Sequence, residues 1–215
     1  MNIAVEVISD VICPWCFIGK RRLEKAIAAY DQPVTVIWHP YQLNPAMPKE
    51  GISRREYRIA KFGSWERSLA LDANIVAVGK EEGIAFNFER MERTPNTIDA
   101  HRLIWLSNKD GVQDAVVEAL FQAYFTDGRD ISNPNTLIDV VVEGGLDRPK
   151  AEAVLNGIEG MEPLKEAGEL LRRYKVEGVP YFIVNGQITL SGAQPPDVFL
   201  AAFEQASDSR FESKQ

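Results

Sequence analysis

Apolar positions run from Ile3 to Ile8 with only Glu6 between them, and the run predicts a strand buried on both faces. Leu23, Ala26, Ile27 and Tyr30 then recur at helical spacing with Lys and Arg opposite. This predicts an amphipathic helix over 17–30. Asp31-Gln32-Pro33 breaks it, because proline carries no N–H to continue the ladder. Val34 to Trp38, rich in β-branched and aromatic residues, predicts a second strand. Strand, helix and strand within forty residues make a βαβ unit, and hence a parallel pair.

The far end supplies more strands. Tyr181 to Val184 and Gln187 to Leu190 flank Asn185-Gly186, whose tolerance of positive φ fits a type I′ hairpin turn. Val198, Phe199, Ala202 and Phe203 mark one side of a closing helix over 195–205, and the sequence turns polar from Ser207. Between the ends, residues 50–176 read as helices. One runs from Ser53 to Glu82 with a break near Gly63-Ser64, one is capped by Asn96 and reaches Asn108, and one runs from Val112 to Phe125. Asn133 with Pro134 starts a fourth that Gly144-Gly145 ends, and 147–155 and 163–174 give two more. Neither a βαβ nor a ββα unit buries its sheet alone, so the two ends must meet. The expected architecture is an α/β thioredoxin fold. Residues 1–45 and 177–207 would carry the sheet, 46–176 would be an inserted α-helical subdomain, and 208–215 a flexible tail.

Composition narrows the function. At 45% hydrophobic and 26% charged residues the chain suits a soluble globular protein. A net charge of −7 argues against nucleic acid as a partner. Lys20-Arg21-Arg22 and the Arg54, Arg55, Arg58 cluster are interrupted by acids and apolar residues, so they are expected on solvated helix faces. No basic, apolar leader precedes Ile3, and no stretch reaches the ~18 apolar residues of a membrane span. A cytoplasmic location without a membrane partner is therefore expected.

The chemistry concentrates at Cys13-Pro14-Trp15-Cys16, which holds the two cysteines of the chain at the strand–helix junction. Unpaired N–H groups and the helix dipole there favour a thiolate. A thiolate with a second thiol in reach can attack a disulfide and then be released from the mixed intermediate. Cys13, just before the helix, is the expected nucleophile. Cys16, one turn in, is expected to be more buried. Pro14 cannot donate an N–H and Trp15 adds an apolar rim. A structural zinc site needs four ligands, and His39 and His101 lie far apart in sequence, so no metal is expected. His39 could approach the thiols as a base or be a hydrogen-bonded residue at a strand end. His101, one turn from Trp105, reads as packed or half-exposed.

Gly178-Val179-Pro180 directly precedes the strand at Tyr181. Paired with Cys-x-x-Cys and this strand order, a cis Val179–Pro180 bond is expected, with Val179 offering backbone N–H and C=O groups beside the sulfurs to an extended peptide.

The blocks Ser9 to Lys20, Trp38 to Pro45, Ala123 to Ile131, Gly178 to Phe182 and Ser191 to Gln194 together resemble the DsbA-like branch of the thioredoxin superfamily, and within it the FrnE-like group. The resemblance implies a dithiol–disulfide oxidoreductase or isomerase in which Cys13 attacks, Cys16 resolves and cis-Pro180 faces them. Pro14, Trp15, Val179 and Gln194 would contact substrate. Relatives in the branch include glutathione-dependent 2-hydroxychromene-2-carboxylate isomerases and kappa-class glutathione transferases, which typically have serine where Cys13 stands. Retention of both thiols favours disulfide chemistry. No tightly bound cofactor is implied, with glutathione at most a co-substrate. The implied partners are protein or small-molecule disulfides and thiols, and the chain would be a monomer or homodimer. Two rival readings are a glutathione-dependent small-molecule isomerase or transferase and a redox-regulated holdase.

Overall fold

The computed structural model describes residues 2–212, with side chains through residue 208. Strand β1 (Ile3–Ser9) leads through a short turn into helix α1 (Pro14–Ala29), followed by β2 (Val34–Pro40). Next come β3 (Ile52–Ser53), α2 (Arg54–Phe62), α3 (Trp65–Glu81) and β4 (Arg93–Thr94). Five further helices follow, α4 (Ile98–Lys109), α5 (Gln113–Phe125), α6 (Pro134–Glu143), α7 (Arg148–Asn156) and α8 (Met161–Arg173). The chain closes with β5 (Tyr181–Val184), β6 (Ile188–Ser191) and α9 (Pro196–Glu212). The main sheet has the order β2-β1-β5-β6, with β1 parallel to β2 and antiparallel to β5, and β5 antiparallel to β6. A DsbA-like thioredoxin fold results, mixed α/β, with both chain ends contributing to one sheet.

Local chemistry explains most boundaries. Asn185 and Gly186 both have positive φ, +50° and +69°, as the two-residue turn between β5 and β6 requires. Ser64 caps α3 by accepting from Arg67 N at 3.1 Å, and Asn133 caps α6 with Pro134 at its first position. Gly19 sits inside α1 for a packing reason. A Cβ there would stand 3.1 Å from the Phe182 ring and 3.1 Å from Pro180, so glycine lets α1 close against β5 and the segment before it.

Several expectations need correction. Thr97, not Asn96, occupies the cap position of α4, and it makes no side-chain cap bond. The Asn96 side chain reaches past it to accept from Ile98 N at 2.9 Å. Helix α9 continues to Glu212, so 208–212 is helical rather than a tail, and 213–215 lie outside the described residues. The pair β3–β4 has no counterpart in the sequence reading, because two-residue strands carry no periodicity.

Apart from Arg55, which is exposed, the basic clusters are not solvated faces. Lys20 is buried and pairs with Glu24, with Asp114 at 3.1 Å and with Glu118 at 3.1 Å, while Arg21 binds Glu24 and Glu118. Arg22 and Lys25 share Glu82. Burial works against ionising Glu118, but hydrogen bonds from Arg21 and Gln122 and the Lys20 charge hold its carboxyl down to about 2. Arg54 is also buried, and Arg54 and Arg58 converge on one carboxylate, Asp72.

One apolar core runs from the sheet into the helices. Phe17 of α1 stacks on Phe121 of α5 with centroids 4.9 Å apart, and Trp38 of β2 meets the same ring edge-on. Gln113 seals β2 by accepting from Trp38 N at 2.9 Å and donating to Trp38 O at 3.0 Å. The edge strand thus finds the partners its buried backbone needs. Among the described residues no helix is long and apolar enough to cross a membrane.

Candidate active site

Cys13 ends the turn after β1 and is the N-cap of α1, in an extended conformation with Pro14 at the first helical position. Its carbonyl accepts from Cys16 N at 3.0 Å and Phe17 N at 3.4 Å, and its own N–H is held by Asp10 O at 2.9 Å. The helix start therefore fixes both sulfurs relative to β1. Both residues are free thiols in contact with each other. Cys16 is the more buried, at 1% exposure against 5% for Cys13. Burial, then the neighbouring Cys13, pushes the Cys16 thiol well above its ordinary pKa, with the Ser9 hydroxyl and the Asp10 backbone pulling the other way.

The Cys13 sulfur makes no cap bond to the helix N–H groups, a difference from expectation. The thiol instead donates to Val179 O at 3.6 Å. The Val179–Pro180 bond is cis, and the loop before β5 meets the helix start from 166 residues away in sequence. Gln194 does not join this cluster. Its side-chain amide donates to Ser191 O at 2.7 Å, closing its own loop after β6.

A cavity of about 340 Å³ opens beside the motif, with Cys13, Pro14 and Trp15 in its wall. The opposite wall comes from α2 and α3, with Arg54, Tyr57, Arg58 and Lys61 along it, and Phe88 and Phe125 contribute apolar surface. Val179, Pro180 and Gln194 are not among the lining residues. Trp15 is 36% exposed at the rim, an unusual exposure for a residue of this size.

Neither histidine belongs to the thiol cavity. His39 Nε2 stands 3.0 Å from Glu6 Oε2 on the sheet, and burial lowers its pKa against the opposing pull of Glu6. His101 is fully buried, with Nε2 2.9 Å from Tyr41 O and 3.3 Å from Asp10 Oδ1. Asp10 was missed in sequence as a supporting residue. Its carboxylate accepts from Leu43 N at 2.8 Å while its carbonyl holds Cys13 N, so one buried acid ties the motif to the segment after β2. An acid placed directly after a buried strand was the available signal. Among the described residues no three His, Cys, Asp or Glu side chains are grouped to hold a metal.

Comparison with known proteins agrees with this geometry. The chain is 25% identical over 202 residues to the uncharacterized protein YwbO of Bacillus subtilis, covering 93% of this chain and 94% of that one. It is similar in structure to a probable DsbA oxidoreductase from Streptomyces coelicolor, with a TM-score of 0.88 and 31% identity over 96% of this chain and 90% of the other. The fold is also shared with the cytosolic disulfide reductase DsbM of Pseudomonas aeruginosa, solved with GSH, at a TM-score of 0.67 and 19% identity over 94% of this chain and 98% of that one. The DSBA-like thioredoxin domain family matches residues 4–204, and the chain belongs to that family.

Proposed function

We propose that this chain is a thiol–disulfide oxidoreductase in which Cys13 attacks a substrate disulfide and Cys16 resolves the product. The observation that carries this reading is the asymmetry of the two thiols. Cys13 lines an open cavity, whereas Cys16 lies behind it with its proton held by burial. In the first step the Cys13 thiolate forms a bond to one substrate sulfur and the other sulfur leaves as a thiolate. Cys16 then gives up its proton and attacks the Cys13 sulfur, forming the Cys13–Cys16 disulfide and expelling the second substrate thiolate. Two electrons pass from the dithiol to the substrate, and the reverse sequence oxidises a substrate dithiol. An extended substrate pairs with the Val179 backbone as an added strand, next to the sulfur that reacts. In the cytoplasm, glutathione would act as a passing co-substrate rather than a bound cofactor.

The reading is tested by equilibrating the chain in buffers of defined glutathione redox state and weighing it after acid quench. A single two-electron transition between dithiol and a species lighter by two hydrogens is expected, with each ~30 mV of midpoint equal to ~1.4 kcal/mol. A chain that stays fully reduced throughout, or that only accumulates bound glutathione, refutes it.

A further inference from the structure

The cavity beside Cys13 carries charge that disulfide exchange does not require. Arg54, Arg58 and Lys61 all line it, and their spacing along α2 puts them on one helix face. Asp72 is shared between the two guanidinium groups, 2.6 Å from Arg54 Nη2 and 2.5 Å from Arg58 Nη2. Burial lowers the Arg58 pKa against the opposing pull of Asp72, with the Arg54 charge adding to the lowering. Lys61 Nζ donates to the Tyr57 hydroxyl at 2.7 Å, and no described carboxylate lies within ion-pair distance of it. Two of the three cations thus share one carboxylate and the third has none beside it, in a chain whose net charge is −7. The remaining wall is mostly apolar, including Ile12, Ile75, Met91 and Phe125, with Asn74 and Thr94 among its polar members.

We propose that this cavity is the specificity site of the dithiol, and that it selects low-molecular-weight disulfides bearing a carboxylate on an apolar or aromatic body. The proposal rests on the oxidoreductase reading above. A volume of about 340 Å³ lies at the small end of ligand pockets, suited to a small molecule and too tight for a folded segment. With Cys13 in the wall, the group on the attacked sulfur occupies the cavity while its carboxylate meets Lys61 and Arg58. The apolar floor removes water around that ion pair and strengthens it. The mixed disulfide on Cys13 then loses this group as a thiolate when Cys16 attacks.

The test uses the reduced full chain and three probes, dithiobis(nitrobenzoate) as anionic aromatic disulfide, dithiodipyridine as its neutral counterpart and cystamine as a cation. Each rate constant is divided by the rate of free dithiothreitol with the same probe, which removes intrinsic reactivity. The anionic probe is expected to exceed the neutral one by ten-fold or more on this scale, about the gain that electrostatic focusing by a charged cleft provides. Lys61→Glu is expected to remove most of that preference, whereas Lys165→Glu, the same charge change on the exposed face of α8, leaves it intact. Equal normalised rates for the three probes, or a preference that survives Lys61→Glu, overturn the proposal and leave the dithiol chemistry standing. A wild-type chain that reacts with none of the probes removes the oxidoreductase reading and this inference with it.

Discussion

Cys13→Ser is expected to reduce insulin no faster than the buffer blank while keeping the circular dichroism and the urea midpoint of the parent chain. Serine matches the size of cysteine, and its hydroxyl can still face Val179 O, so the helix start that Cys13 builds remains whole. Only the nucleophile is lost. A hydroxyl is a weak nucleophile at neutral pH without an activating base, and neither histidine belongs to the cavity that Cys13 lines. Insulin turbidity followed with dithiothreitol as reductant gives the rate, and a variant working at the parental rate would place the chemistry elsewhere.

Asp72→Ala is expected to cost stability rather than chemistry. Asp72 is 5% exposed and is bound by Arg54 and Arg58, with Arg54 itself 5% exposed. Removing the carboxylate leaves two cations facing each other with little water to screen them. Breaking one side of a buried pair in this way typically costs about 3–5 kcal/mol, whereas an exposed substitution stays within about 0.5 kcal/mol. Urea unfolding should therefore show Asp72→Ala shifted well below the parent, with Arg55→Gln, an exposed neighbour, close to it. A loss under about 1 kcal/mol for Asp72→Ala would mean that the α2–α3 pairing is solvated and not buried as described.

The elements of the sheet were legible because their signals are local. Continuous apolar runs mark β1 and β2, and Asn185-Gly186 marks the hairpin. Both halves of the thiol site were legible for the same reason. Cys13 to Cys16 and Gly178 to Pro180 are short motifs beside strands, and β1 pairing with β5 brings them together. The buried charges were not legible. Lys20 finds Asp114 and Glu118 from 94 and 98 positions away, and nothing in the spacing of the basic residues distinguishes that from a solvated face. The cavity wall was hidden for a related reason. Arg54, Arg58 and Lys61 face the thiols because α2 packs on α3 with Asp72 between them, a tertiary fact that a single helix pattern does not carry. Gln194 belongs to a block whose resemblance implies a place near the site, but its side chain serves the turn after β6.

The order of attack by the two thiols is tested most directly with Cys16→Ser. Without a resolving thiol, the account predicts that the variant, mixed with a peptide disulfide, accumulates a covalent adduct, and that peptide mapping by mass spectrometry places it on Cys13. Dithiothreitol should release the adduct and regenerate the free chain. Failure to trap any adduct under conditions where the parent chain turns over would contradict the assignment of Cys13 as nucleophile and Cys16 as the thiol that releases it.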